Sequence, residues 1–277
     1  MDQPLPPGAA PDQFSVLLRK PDGVALPAVG DRVDRLIVEH GLRVVTRYRL
    51  TLSTTDVGDL WPKIVGGSYP IVHAMMDLYM TSGPSEATVV AGPDAVRRCR
   101  AIRTEIRRDF GDTVFANRLH TPTEPYEIRP CVEKFLHSIP TGAPYRRHHD
   151  SGRAPGVFGR LAALSPEEVR AAARAAWHRQ ETQGWHSFRM PSVPGDHAAY
   201  LLPGDELTVD RGMSVIAEAL RDLTLPQIIT AYVEMDVHGR SRLFTGSAAE
   251  AGALAGRLCA AGLFAEAAPV LTDHQPA

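Results

Sequence analysis

From Phe14 to Lys20 the chain reads FSVLLRK, a short apolar run closed by two basic residues. Its length and composition predict a buried strand. PDGV follows at Pro21–Val24 and predicts a turn, because proline presets φ and glycine accepts a positive φ. Val29, Val33, Leu36 and Ile37 then recur at helical spacing, with Gly41 a fitting C-terminal stop. LRVVTRYRLTL (Leu42–Leu52) alternates and is rich in β-branched residues, so it predicts a second strand. Helical text comes near Asp56–Ile64 and again from about Pro70 to Met80. SGPSEATVVAG (Ser82–Gly92) reads as turn, strand, turn. Beyond Pro93, apolar Ala95, Cys99, Ile102 and Ile106 stand at i, i+4, i+7 and i+11, one face of a helix. NRLHTPTEPYE (Asn117–Glu127) is turn-rich and predicts a loop around His120. Strands alternating with helices imply a sheet with helices packed on it, an α/β architecture.

The pattern changes after residue 137. HSIPTGAPYRRHHDSGRAPG (138–156 at its core) reads as a linker. Next, SPEEVRAAARAAWHRQ opens a helix: Ser165 is a good N-cap, Pro166 fits the first helical position, and Glu168 completes a capping box. RMPSVPGDHAAYLLPGDE is turn-rich. MSVIAEALRDL reads as helix, QIITAYVEMDV as strand, HGR as turn, SRLFTG as strand, SAAEAGALAGRLCAAG as helix and FAEAAPVLT as strand. The expected organisation is a disordered leader (1–12), a first domain (13–137), a linker (138–156) and a smaller α/β accessory domain (157–277).

Composition narrows the class. The 277 residues suffice for one large or two ordinary domains, and 44% hydrophobic content supports a packed core. A net charge of −2 leaves no global field to draw the chain to nucleic acid or an anionic membrane. No apolar run approaches the roughly 18 residues of a membrane span, and MDQPLPPGAAPDQ has neither the basic start nor the apolar run of a signal peptide. Cys99, Cys131 and Cys259 lie far apart without CxxC spacing, which points to free thiols in a reducing, cytoplasmic setting.

Three features could carry chemistry. Arg100, Arg103 and Arg107, three and four residues apart, share a face of the helix beyond Pro93, expected to lie opposite its apolar stripe. Guanidinium groups so placed suit phosphate, which each can meet with two parallel hydrogen bonds; taken alone, such a run reads more readily as a solvated basic face. Lys20 ends a buried strand, where ligands are often bound. His120 is an imidazole with an ordinary pKa near 6.5, and its neutral form can attack a γ-phosphorus directly; a histidine read by itself is more often structural or merely exposed. RRHHD (Arg146–Asp150) makes a poor chelate, since adjacent residues point apart. Trp177, near Leu164, Val169 and Ala173 in helical spacing, reads as packing. After residue 155 there is no acid–base dyad, Gly-rich phosphate loop or nucleophile elbow.

The four stretches LLRKPDGV, TSGPSEATVVAGPDAV, IRRDFG and NRLH occur together in one order and spacing. In this the chain resembles the nucleoside diphosphate kinase family over about residues 13–137. The resemblance implies a ferredoxin-like α/β sandwich. It implies ping-pong transfer of a γ-phosphoryl group between nucleoside triphosphates and diphosphates, with Mg²⁺ carried on the nucleotide phosphates rather than on a protein site. By resemblance, His120 is the nucleophile, Lys20 meets phosphate and ribose, Arg100 and Arg107 clamp phosphate, and Asn117 holds the ribose 3′-hydroxyl. Trp61 falls where the family keeps a tyrosine near the phosphohistidine, and Glu133 where a glutamate orients the histidine.

The chain also departs from the pattern. The family's long loop between the two clamp arginines, which supplies a threonine and much of the subunit contact, is missing, so the helix is expected to run straight through and any homo-oligomer to use another interface. His-Gly-Ser-Asp becomes His-Thr-Pro-Thr, and Pro122 removes a serine hydroxyl. Tyr69 is a weak candidate for the base-stacking aromatic. Two readings follow: a phosphotransferase with changed substrate preference, or a nucleotide-binding relative with weak or no turnover. Lys20, Arg100, Arg107, Asn117 and His120 kept together favour the first.

Overall fold

The computed structural model describes residues 13–61, 69–111, 117–123, 127, 131, 135, 156–183, 195–204 and 207–270. The expected leader, nearly all of the expected linker with its RRHHD run, and Glu133 lie outside these residues. The chain groups into two compact units, Met1–Gly66 with Met76–Asp150, and Gly67–Met75 with Ser151–Ala277.

In the first unit the elements run β1 (Phe14–Arg19), α1 (Pro21–Ala25), α2 (Pro27–Glu39), β2 (Arg43–Leu50), α3 (Thr54–Leu60), α4 (Pro70–Thr81), β3 (Ser85–Ala91), α5 (Ala95–Phe110) and β4 (Leu119–His120). Helix α4 is shared, its start falling in the second unit. The strands form one sheet in the order β2-β3-β1-β4, and every neighbouring pair is antiparallel. With α2 between β1 and β2, and α5 between β3 and β4, this is the ferredoxin-like sandwich. Strands β1 and β3 are buried along their whole length, as central strands must be, while β2 alternates at the edge. Leu17 and Val90 of the sheet pack against Val33 and Ile37 of α2 and Ile102 and Ile106 of α5. The apolar stripe Ala95, Cys99, Ile102 and Ile106 is the buried face of α5. At the end of β1, Arg19 donates from Nε (3.1 Å) and Nη2 (2.7 Å) to Glu86 Oε1 in the opposing register position of β3.

Two expectations here need correction. PDGV is not a turn but the helix α1, since a proline at the first helical position has the right φ and loses no needed donor. His120 is not in a loop: with Leu119 it forms β4, paired with β1 in the register Leu18↔His120. A two-residue strand has no periodicity to read, so only the sheet reveals it.

The second unit holds a short 3₁₀ turn (Gly159–Ala163), α6 (Pro166–Gln183), β5 (His197–Leu202), α7 (Val209–Ala219), α8 (Leu225–His238), β6 (Ser241–Gly246), α9 (Ala248–Ala260) and β7 (Phe264–Pro269). Its sheet is antiparallel in the order β6-β5-β7. The Ser165–Glu168 capping box is present, with Glu168 Oε2 accepting from the Ser165 N–H at 2.7 Å. QIITAYVEMDV, expected as a strand, is the body of α8. A Thr224–Gln227 capping box starts that helix, Gly239 at φ +75° ends it, and burial of Ile228, Ile229 and Val233 overrides their β propensity. Conversely HAAYLL, expected within a turn-rich passage, is the central strand β5; its alanines carry no β-branched signal. Arg160 closes the end of α7 by donating to the carbonyl oxygens of Ala217, Leu220 and Leu223. Cys99 and Cys131 are buried and Cys259 exposed, and none of the three forms a disulfide among the described residues. Among the described residues no helix is long and apolar enough to cross a membrane.

Within this unit Asp210 is fully buried, and its carboxylate accepts from the N–H groups of Ile71 (2.9 Å) and Val72 (3.1 Å) in the first turn of α4. Burial pushes its pKa up to about 6, the two N–H groups pulling the other way. The folded state therefore holds a proton that the unfolded chain releases near pH 4, so stability falls as pH rises from about 4 to about 6. Asp210→Asn, which never ionises, is expected to abolish that fall, on the order of 2 kcal/mol by linkage. Denaturant unfolding at pH 4.5 and 6.5 checks it, and equal pH slopes in both proteins would refute it.

Candidate active site

Lys20 stands at the junction of β1 and α1 as the N-cap of α1, and is buried. Its N–H donates to the Arg118 carbonyl at 2.9 Å, and its Nζ donates to Asn117 Oδ1 at 2.5 Å. The end of the central strand thus holds the residues that lead into β4. Arg118 bends that lead-in at φ +45°, a left-handed value rare for a side-chain-bearing residue. Gly23 explains how α1 can pass so close: a Cβ there would lie 2.4 Å from the Arg118 carbonyl oxygen. The glycine of PDGV serves clearance rather than a turn.

Tyr79, near the end of α4, lies under Lys20, with Nζ 5.1 Å from the ring centroid. Its hydroxyl donates to Asp22 Oδ1 at 2.5 Å, and burial beside that carboxylate drives the phenol pKa far up. Asp22 also accepts from the Gly23 N–H at 2.9 Å. Tyr79 and Asp22 were not singled out from the sequence, because nothing in the local text shows that α4 and α1 meet at Lys20.

His120 is buried on β4, with Trp61 set against it edge to face at 4.9 Å between ring centroids. Helix α3, closed at its start by the Ser53–Asp56 capping box, ends at Trp61 and so delivers the indole. His120 Nε2 is buried with no hydrogen-bond partner among the described residues. Burial first, then the charges of Lys20, Arg103 and Arg107, holds the His120 pKa well below its ordinary 6.5. The ring is therefore in its neutral form at neutral pH, with one nitrogen carrying a hydrogen and the other a free lone pair.

The arginines divide. Helix α5 runs unbroken from Ala95 to Phe110, as the missing loop led us to expect. Arg103 and Arg107 are half-buried and act on His120; Arg100 is exposed and is not among the charges that act on it. Their face flanks the apolar stripe rather than opposing it, contrary to the expectation from spacing. The structure thus brings together Lys20, Asn117, Trp61, Arg107 and His120, adds Arg103, and leaves Arg100 in solvent. Tyr69, half-buried, belongs to the second unit. Among the described residues no group of three His, Cys, Asp or Glu side chains could hold a metal ion.

No family model matches the chain. A nucleoside diphosphate kinase of Wolinella succinogenes is 35% identical over 111 residues, covering 36% of this chain and 78% of that protein. One from Halorhodospira halophila is 31% identical over 127 residues, covering 42% of this chain and 87% of that protein. This chain belongs to the nucleoside diphosphate kinase family. Among solved structures, the Aquifex aeolicus nucleoside diphosphate kinase aligns with a TM-score of 0.38 at 23% identity, covering 43% of this chain and 92% of that one. The Encephalitozoon cuniculi nucleoside diphosphate kinase aligns at 0.40 with 18% identity, covering 50% and 97%. As members of a family of nucleotide phosphotransferases go, this nucleoside diphosphate kinase relative is long, since more than half of it lies outside the matched region.

Two outcomes are expected from this geometry. Trp61→Ala opens the ring of His120 to water, removes part of the largest cause of its depressed pKa, and should raise that pKa toward 6.5 in an NMR titration. A pKa that stays or falls would mean Trp61 does not shield the ring. Gly23→Ala should destabilise the protein by about 1–3 kcal/mol, as overpacking against rigid backbone does; an unchanged melting temperature would refute the clearance role.

Proposed function

We propose that the protein carries the γ-phosphoryl group of a nucleoside triphosphate on His120 and passes it to an acceptor, a nucleoside diphosphate or a related phosphate. The observation that supports this best is the buried imidazole of His120, held neutral by its surroundings and by three neighbouring cations. A neutral ring has a free lone pair, and cations about it stabilise charge spread over the oxygens of a transferring phosphoryl group. In the first half-reaction a ring nitrogen forms a bond to the γ-phosphorus. The bond from that phosphorus to the β,γ-bridging oxygen breaks, and its electron pair leaves with the diphosphate. In the second, a terminal phosphate oxygen of the acceptor attacks, the P–N bond breaks, and the ring returns to its neutral form. Lys20, fixed by Asn117 and backed by Tyr79, meets the phosphates; Asn117 also meets ribose; Trp61 keeps water from the phosphohistidine; Glu133 orients the ring. Mg²⁺ enters as part of the substrate, on the nucleotide phosphates. Positioning and charge carry most of the rate, since phosphoryl transfer asks little covalent chemistry of the protein.

Purified protein mixed with Mg²⁺ and γ-labelled ATP or GTP, quenched in alkali, is expected to hold an acid-labile label that His120→Ala lacks. Nucleoside diphosphates should chase it off and so reveal the acceptor. Nucleotide bound without label would leave the chain a nucleotide-binding relative and end this reading.

The pH dependence follows from the direction of the shift. Protonation removes the lone pair, and the pKa lies well below 6.5, so the rate of labelling should be flat from pH 8 to about 6.5 and fall only at more acid pH. A half-maximal rate at or above pH 6.5 would contradict histidine chemistry in this environment.

A further inference from the structure

We propose that Arg103, together with Arg107, grips the phosphate chain of the bound nucleotide, and that Arg103 rather than Arg100 supplies the second guanidinium of the site. The inference rests on His120 being the phosphoryl carrier and concerns which side chains hold what it receives.

The geometry comes from the unbroken α5. At about 100° per residue, the centre of the stripe Ala95, Cys99, Ile102 and Ile106 is roughly 70° from Arg103, 110° from Arg107 and 130° from Arg100. Burial follows the same order. Arg103 and Arg107 are half-buried, while Arg100 is exposed. Four residues apart, Arg103 and Arg107 are surface neighbours about 6 Å apart along the axis. Arg100 stands about 10 Å from Arg107 and points further into solvent. A helix interrupted between Arg100 and Arg107 could fold one toward the other; a continuous one cannot. Of the two guanidinium groups, Arg103 acts on His120 more strongly than Arg107 does. Among the described residues the buried Nε2 of His120 has no hydrogen-bond partner, and both guanidinium groups act on that ring. Two planar forks about a single turn apart, both acting on that ring, fit adjacent phosphates of one chain.

The test uses the full chain with Arg103→Gln, Arg100→Gln and, as a charge control, Arg97→Gln on the exposed far side of α5, where Arg97 pairs with Asp94. The probes are the β,γ-methylene analogues of ATP and GTP with Mg²⁺, whichever binds wild type more tightly, and the matching nucleoside, all by calorimetry. Arg103→Gln is expected to weaken the analogue about 10- to 100-fold, the value of a charged hydrogen-bonded pair, and to leave nucleoside binding unchanged. Arg100→Gln should cost less than Arg103→Gln, and Arg97→Gln least. Equal or greater loss in Arg100→Gln, equal loss of nucleoside binding in Arg103→Gln, or failure of wild type to bind either analogue would each overturn the proposal. If Arg103→Gln does not fold, Arg103→Lys keeps charge and stem but not the fork. It should bind the analogue several-fold more weakly than wild type, and wild-type affinity would overturn the proposal. Wild type that binds the analogue but takes no label would end the transfer reading while these affinities still judge Arg103.

Discussion

The first unit depends on one tie: Lys20, at the end of the central strand, holds the start of the last strand through its backbone and its side chain at once. The N–H of Lys20 meets the Arg118 carbonyl and its ammonium meets Asn117. A two-residue strand has too few ladder bonds to set its own register. Held by Lys20, β4 can pair only as it does, with His120 beside Leu18. The left-handed Arg118 and the bare Gly23 are the local costs of that closeness, and both fall beside the candidate nucleophile, where strained backbone tends to gather.

The same tie places a buried lysine next to a buried histidine, an arrangement that a core selected for stability alone would avoid. Asn117 gives the ammonium an acceptor, and the Tyr79 ring gives it a π face. The histidine answers by staying neutral. Its reactivity and its burial are therefore one fact seen from two sides: the field that would repel a proton is the field that would welcome a phosphoryl group.

Much of this was legible in the text of the chain. Alternation and helical spacing located β1, β2, β3, α2 and α5, and the face buried by α5 was named residue for residue. The capping box at Ser165 and the glycine stop at Gly41 were local chemistry and readable as such. What escaped depended on distant partners. Strand β4 is too short to have a period, and β5 hides among prolines and glycines. Helix α8 wears the β-branched residues of a strand because it is buried nearly all round. At the site, motif order brought Lys20, Asn117 and His120 to notice. The placing of Arg103 above Arg100 needed the azimuth of each side chain about a helix whose continuity the sequence only hinted at. Tyr79 and Asp22 needed the meeting of two helices that no spacing encodes.

The uninterrupted α5 has a mechanical meaning. A loop between two binding residues lets them approach separately, as fingers close on an object. A helix lets them do nothing of the kind, because its residues are set at a fixed pitch and its backbone bonds resist bending at any one point. Side chains rooted along it form a ruler. A ligand laid against such a ruler is measured by the spacing of its own charges, before any question of its shape elsewhere arises.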